Sequence, residues 1–468
     1  MANPKRKTIR RSEVYLAEEL SRYAASLRFA DLDGNTLSEA KRRTIDAIGC
    51  AIGAYNETPV RIARTVADKT SSRQPSTILG TRRKTSPEAA TFVNGLMIRY
   101  FDFNDTYLSK EPAHPSDNLG ATLSVAESLG ASGKDLLLST VLAYELQCRL
   151  CDAADIRHRG WDHVCYGLVS VALAAARLMG LGPAKMTEAV NIALNAHIAM
   201  RQVRAGELSM WKGSSFSNAA RNAVFAASLA KEGMTGPSPI FEGEMGFFKQ
   251  VSGPFELDAE EFGGRRGGFK IDETYIKYFP AEYHSQSAVW AALELRKELG
   301  DPSEVESVEV ASHEAGYTIL GKDPEKWRPT TKETADHSLP YIVGMALLEG
   351  KIENSTYAPT KFRNKKTLDF LKKITVKEDK RLTALYPSEG IANRITVRTK
   401  SGRTLEEEVI FPKGHPKNPL TDAEVEQKFR KLTKRFLGEA RTDEALSLLW
   451  GLEKVRDLTE LTATLVVK

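Results

Sequence analysis

Apolar residues recur at helical spacing through the first half of the chain. Ile45, Ile48 and Ile52 follow the capping-box pattern Thr36-Leu37-Ser38-Glu39, and Asn94, Met97 and Tyr100 lie along a second such stretch. Segments 119–129, 134–154, 164–179 and 185–196 carry the same period, separated by Gly or Gly-Pro. Their abundant alanine permits close helix packing, so most of their apolar residues read as core. The pattern changes at Gly263-Gly264-Arg265-Arg266-Gly267-Gly268, a flexible turn that lacks the lysine and spacing of a phosphate loop. Beyond it, 305–310, 374–376, 394–399 and 404–410 read as strands, the last two joined by a hairpin at Lys400-Ser401-Gly402-Arg403. Helices are expected at 287–299 and 341–348. A second capping box, Thr421-Asp422-Ala423-Glu424, opens a helix with the apolar stripe Val425, Phe429, Leu432 and Phe436. The fold class is therefore mostly α with an α+β part. It divides as a helical domain over 1–268, a smaller α+β domain over 269–412 and C-terminal helices over 413–468.

One stretch interrupts the helices of the first half. Residues 101–120 read FDFNDTYLSKEPAHPSDNLG and bring Asp102, Asn104, Asp105, Thr106, His114, Ser116, Asp117 and Asn118 close together. Pro112 and Pro115 restrict the backbone there. Such a shaped loop on a rigid scaffold is a common place for chemistry. His114 exchanges protons near neutral pH, and Asp105 is placed to orient it. The competing reading is a connector whose Asp and Asn residues only cap helices.

Composition narrows the possibilities. The 468 residues suffice for two or three domains, and 41% hydrophobic with 27% charged residues is ordinary for a globular protein. A net charge of +5, with basic and acidic residues mixed throughout, does not argue for nucleic acid and mildly favours an anionic substrate. No apolar run is long enough to cross a membrane. The basic start, MANPKRKTIRRSEVY, lacks the apolar segment of a signal peptide and reads as a solvated tail. Four cysteines, Cys50, Cys148, Cys151 and Cys165, fit a reducing cytoplasm. Cys148 and Cys151 form a CxxC inside a continuous helix, where they merely share a face. With no second CxxC, neither an iron–sulfur cluster nor another metal site is expected, and no cofactor is evident.

Asp105-Thr106 followed by His114-Pro115-Ser116-Asp117-Asn118-Leu119-Gly120 resembles the signature of the MmgE/PrpD family. The resemblance continues through Gly206-Glu207-Leu208-Ser209-Met210-Trp211-Lys212-Gly213, Asp336-His337-Ser338-Leu339-Pro340-Tyr341 and Gly414-His415-Pro416-Lys417-Asn418-Pro419. Several separated matches in order are more specific than one motif. That family contains 2-methylcitrate dehydratases and cis-aconitate decarboxylases, and the HPSDNLG run is typical of the former branch. The resemblance implies that the α+β part is a lid over the active site and that the C-terminal helices return to the helical domain. It also implies a homodimer, which the cysteine count would place in the cytoplasm.

The activity implied is dehydration of 2-methylcitrate to 2-methylaconitate in the methylcitrate cycle of propionate breakdown, with citrate also accepted. The alternatives are cis-aconitate decarboxylation to itaconate, or a non-catalytic tricarboxylate-binding protein. Matching positions assign His114 and His163 to proton transfer and Asp105 to orienting a histidine. Lys212 and Lys277 bind carboxylates, and Tyr341 assists departure of the hydroxyl. Arg201, Gln202, Arg204, His284 and His337 are further substrate-binding candidates. Each has a plainer alternative: His163 stands at a helix start, Lys212 precedes an Ala-rich helix, and Tyr341 begins another.

Overall fold

The computed structural model describes residues 14–468. The basic run read as a solvated tail lies outside the described residues up to position 13. The expected helices in the first half form as Leu119–Ser128, Gly133–Ala153, Val164–Leu178 and Pro183–Ala196. They join Leu16–Ser26, Gly34–Gly53, Thr58–Ala67, Pro87–Arg99 and Trp211–Lys231. A two-stranded ribbon, β1 (Ser76–Thr77) and β2 (Lys84–Thr85), lies among them. Two starts differ from the pattern reading. The helix expected from Thr36 begins at Gly34, because the Asp33 carboxylate caps the Thr36 N–H at 2.8 Å. The Ala-rich helix begins at Trp211, so Lys212 sits inside its first turn rather than before it.

The α+β part holds a four-stranded sheet of β3 (Val305–Ser312), β4 (Ile374–Glu378), β5 (Asn393–Thr399) and β6 (Thr404–Val409), in the order β4-β3-β5-β6. β3 pairs parallel with β4, and the other pairings are antiparallel. Val308, Val310, Ile395 and Val397 alternate to one buried face, against which helices Gln286–Leu299 and Leu339–Glu349 pack.

Two large apolar cores result, beside a small cluster of Ala311, Leu382 and Ala392. One gathers residues from Leu16 to Tyr283 with Ile391 and with Leu420 through Leu465. The other runs from Phe279 to Leu405. The helix Asp422–Leu437 starts at the expected box, with Thr421 and Glu424 capping each other's N–H. Its stripe enters the first core. Val425 and Phe429 are fully buried, and Phe429 and Leu432 press on Gly49 and Gly53 of Gly34–Gly53. Each such side chain contributes about 1.5–3 kcal/mol by burial.

One close approach shapes the loop of interest. A Cβ on Gly120 would stand 2.6 Å from the backbone of Gly95, so only glycine lets Pro87–Arg99 and Leu119–Ser128 cross so tightly. Residues 100–118 are thereby held at both ends by helices in contact.

Candidate active site

Arg99 occupies the last turn of its helix, and Asp102 follows with φ 51°, the one left-handed non-glycine among the described residues. Its carboxylate is fully buried and is the hub of the site. The Arg99 guanidinium donates to Oδ1. Lys277 Nζ donates to Oδ1 at 3.0 Å and to the Asp102 carbonyl at 2.9 Å. Lys212 Nζ lies 3.5 Å from Oδ2, His337 Nε2 3.5 Å from Oδ2, and His114 Nε2 3.9 Å from Oδ1. Burial pushes the Asp102 carboxyl up, but Arg99, Lys212 and Lys277 together hold it well below the usual carboxylate range.

Local structure brings these groups together. Thr106 and Tyr275 exchange backbone hydrogen bonds at 2.9 and 2.8 Å, which sets Lys277 two residues later against Asp102. Lys428 ties the same layers, donating to the carbonyls of Phe103 and Lys277 at 2.7 and 2.8 Å and pairing with Asp46 at 2.6 Å. Gly414 packs behind this segment. It has φ 94°, and a Cβ there would meet the Ile276 carbonyl at 1.8 Å. The GELSMWKG run is pinned to the α+β part: Leu208 N–H donates to Thr334 Oγ1 at 3.2 Å, and Thr331 Oγ1 donates to the Leu208 carbonyl at 3.0 Å.

A second carboxylate, Asp336, completes the side contributed by the α+β part. It accepts from His337 Nδ1 at 2.6 Å and from Lys332 Nζ at 2.9 Å, with Lys212 at 3.6 Å. Burial, opposed by Asp102 and Asp336, lowers the Lys212 ammonium to about 8. Burial and Lys212 bring His337 down to about 4.

The two histidines of the helical side are neutral at pH 7 and have definable tautomers. Burial, with Arg99 and Lys277 adding, holds His114 well below its ordinary value, and burial brings His163 down to about 3. His114 Nδ1 lies 2.8 Å from the Asp105 carbonyl, which only accepts, so Nδ1 carries the hydrogen and Nε2 offers a lone pair toward Asp102. His163 Nε2 lies 3.0 Å from Arg204, which only donates, so the hydrogen of His163 sits on Nδ1. That Nδ1 is buried without a hydrogen-bond partner among the described residues. The rings meet edge to face with centroids 5.8 Å apart. One acceptor nitrogen and one unused donor thus stand side by side.

The expected residues separate into two groups. His114, His163, Lys212, Lys277 and His337 converge. Asp105 does orient His114, but through its carbonyl. Its carboxylate turns away to accept from Ser116 N–H at 2.9 Å and Tyr144 OH at 2.7 Å, and burial raises it. The Tyr341 phenol is committed to the Thr356 carbonyl at 2.6 Å inside the second apolar core, which leaves it no proton to give. Gln202 is exposed. Arg201 is half-buried with no hydrogen bond or ion pair to its guanidinium among the described residues, as suits a waiting carboxylate site. His284 bonds Glu282 and Tyr386 rather than the Asp102 hub.

Sequence reasoning assigned no role to Asp102, Asp336, Arg99 or Lys332, and Arg204, read as a carboxylate grip, instead pairs with Asp162 at 2.9 Å and donates to His163. The available signals were an arginine three residues before Asp102 at a helix end, and an aspartate directly before His337. Asp102, Asp336 and His337 offer donor atoms within 4.8 Å of one another, enough for a metal ion. However, Arg99, Lys212, Lys277 and Lys332 already neutralise both carboxylates, so a divalent cation would have to displace ammonium and guanidinium groups. All four cysteines are buried and free. No helix among the described residues is long and apolar enough to cross a membrane.

Comparison with known proteins gives this arrangement a context. The MmgE/PrpD N-terminal domain matches residues 18–260 and the MmgE/PrpD C-terminal domain residues 279–452. The chain belongs to the MmgE/PrpD family. It is 31% identical over 394 residues to a 2-methylcitrate dehydratase of Escherichia coli, covering 79% of this chain and 80% of that protein. It is 29% identical over 437 residues to a 2-methylcitrate dehydratase of Cupriavidus necator, covering 87% and 88%. A fungal alkylcitrate dehydratase is 29% identical over 435 residues, covering 85% and 84%. The chain is an enzyme, a carbon–oxygen lyase of the dehydratase type. In this family setting the two matched domains divide the site: Arg99, Asp102, His114, His163 and Lys212 come from the first, and Asp336 and His337 from the second. Lys277 lies in the segment between them.

Proposed function

We propose that this enzyme eliminates water from 2-methylcitrate to give 2-methylaconitate by acid–base catalysis. The observation that carries the reading is the buried Asp102 hub, where Arg99, Lys212 and Lys277 share one carboxylate beside two neutral histidines. A tricarboxylate entering here exchanges its own carboxylates for those of Asp102 and Asp336 around the lysines, and Arg201 is free to take another. The hydrogen to be removed is on carbon next to a carboxylate. His114 Nε2 has the lone pair to take it, and Lys212 and Lys277 stabilise the enolate-like charge that develops. His163 Nδ1–H is available to donate to a substrate oxygen. The names of the relatives support the substrate class. Citrate fits the same pocket, since one missing methyl is worth only about 1–3 kcal/mol.

The deciding experiment incubates the enzyme separately with 2-methylcitrate, citrate and cis-aconitate, and follows products by NMR together with carbon dioxide release. Olefinic tricarboxylate from 2-methylcitrate is the expected result, with turnover unchanged after exhaustive chelation. Carbon dioxide and itaconate from cis-aconitate, with no dehydration, would instead establish the decarboxylase reading. Activity lost to chelator and restored by a metal would sink the metal-independent mechanism.

Lys212 gives the reading a pH signature. With its ammonium titrating at about 8, the site loses one positive charge as pH rises through that value. Below it the lysine is charged and grips carboxylate, so affinity for a tricarboxylate inhibitor is expected to weaken above pH 8. Calorimetric titrations from pH 6.5 to 9.5 measure this. Lys212→Arg, charged throughout the range, is expected to remove the inflection, and an unchanged profile in that variant would return Lys212 to a structural role.

A further inference from the structure

Two groups on the Nε2 side of His163 pull its hydrogen in opposite directions. Asp162 Oδ1 is 3.6 Å from Nε2, and the Arg204 guanidinium is 3.0 Å from the same nitrogen. A carboxylate only accepts and would draw the hydrogen onto Nε2. A guanidinium only donates and leaves the hydrogen on Nδ1. Arg204 prevails by engaging both partners. Its Nε donates to Asp162 Oδ2 at 2.9 Å, and Nη2 reaches Asp162 Oδ1 at 3.4 Å as well as His163. The Val164 N–H takes a further share of Oδ1 at 3.2 Å. Burial pushes the Asp162 carboxyl up, but Arg204 outweighs it and holds it below the usual carboxylate range. Backbone pairing brings the two stretches together. Asp162 N–H donates to the Ala199 carbonyl and Arg201 N–H to the Gly160 carbonyl, each at 2.9 Å, so the turn Arg201–Arg204 lies beside 160–162. Asp162 is fully buried, and the elimination described above uses neither it nor Arg204.

We infer that Arg204, anchored by Asp162, is the positioning residue that makes His163 a hydrogen-bond donor to the substrate. The inference rests on the dehydratase reading, in which His163 Nδ1–H meets a substrate oxygen. His114 is set differently, because its own Nδ1–H is held by the Asp105 carbonyl at 2.8 Å. His163 Nδ1 has no acceptor among the described residues, so nothing on that side keeps the hydrogen in place before substrate arrives. The guanidinium keeps it there from across the ring. It also puts a positive charge behind Nε2, which strengthens the hydrogen bond that Nδ1–H gives to an oxygen gaining charge as its bond to carbon breaks. Arg204 and Asp162 both act through the imidazole.

The test reads the tautomer and the turnover separately. In full-length enzyme labelled with nitrogen-15 histidine, a ring nitrogen bearing hydrogen and one bearing a lone pair resonate far apart. The His163 pair is identified by its loss in His163→Gln. At about pH 9, above the ordinary range of histidine, the wild-type ring is expected to show Nδ1–H. Arg204→Ala leaves Asp162 Oδ1 facing Nε2, so the hydrogen is expected to move to Nε2. Turnover of 2-methylcitrate at the same pH is expected to fall by roughly 10²–10⁴-fold, while affinity for a tricarboxylate inhibitor changes less than about 10-fold. Millimolar guanidinium ion is expected to restore the Nδ1–H form and part of the turnover together. Arg204→Met keeps the apolar stem, is expected to show the same shift, and carries the test should the alanine variant fail to fold. A wild-type ring with Nε2–H, or an Nδ1–H form that persists in the folded variant, overturns the proposal while leaving the dehydratase reading intact. A moved hydrogen with near-normal turnover overturns it too, since His163 would then not be the donor. A wild-type enzyme that does not dehydrate 2-methylcitrate overturns the dehydratase reading and this proposal with it.

Discussion

Asp102→Asn is expected to cost the enzyme both its turnover and several kcal/mol of stability. Asparagine preserves the shape and tolerates the left-handed φ of 51° at this position, so the change isolates the charge. Without it, Arg99, Lys212 and Lys277 are left as buried cations lacking their shared anion. Breaking a buried pair in this way costs about 3–5 kcal/mol. Urea unfolding at pH 7 measures it. The sign with pH also follows. The folded carboxyl is held well below its unfolded value of about 3.9, so its contribution is present above that pH and is lost as pH falls toward the folded value. The gap between wild type and Asp102→Asn is therefore expected to be full at pH 7 and to shrink below pH 4. The lysines lose the group that fixes their positions, and kcat/KM is expected to fall by at least about 10²–10³-fold, as for removal of one electrostatic stabiliser. A variant within 1 kcal/mol of wild type and with near-normal turnover would show that Asp102 is not the hub.

The second large effect separates proton transfer from binding. His163→Gln is expected to reduce turnover by roughly 10²–10⁴-fold with little loss of affinity for a tricarboxylate inhibitor. Glutamine still offers Arg204 an acceptor, and His163 belongs to neither apolar core, so the protein is expected to fold normally. The substitution removes the unpaired Nδ1–H beside His114. Lys212→Ala is the contrasting case, where inhibitor affinity and turnover are expected to fall together because the lost ammonium grips a carboxylate. Rapid turnover in a folded His163→Gln protein would take that histidine out of the mechanism. Unchanged inhibitor binding in Lys212→Ala would do the same for the lysine.

The family resemblance lay in short runs, and those runs have different physical jobs. In the HPSDNLG run, His114 turns Nε2 toward the Asp102 carboxylate, while Ser116 satisfies the Asp105 carboxylate and Gly120 permits a helix crossing. The glycine–histidine turn at 414–415 packs against the Ile276 carbonyl and the Tyr275 ring, behind Lys277. Motif membership therefore located the neighbourhood of the site without assigning each residue its task. Asp105 shows why. In a loop whose backbone reverses, a three-residue step in sequence does not reveal which carboxylate turns inward. Asp102 turns in because Arg99, one helical turn earlier, holds it, and Asp105 turns out because Tyr144 and Ser116 bind it.

The sequence by itself determined the order and type of the elements, because helical and alternating periodicities are local and short-range sterics enforce them. It determined the strands of the four-stranded sheet to within a few residues, the capping box at Thr421, and the residue types of the site. The tertiary structure alone decided which charges meet. Asp102, Lys212, Lys277 and Asp336 are separated by up to 234 positions, yet they lie within 4 Å of a neighbour in the cluster because two cores close on one loop. It also decided that Tyr341 is spent on a backbone carbonyl while Tyr386 faces an imidazole. Side-chain direction and long-range contact depend on how the elements pack, and no local pattern along the chain encodes them.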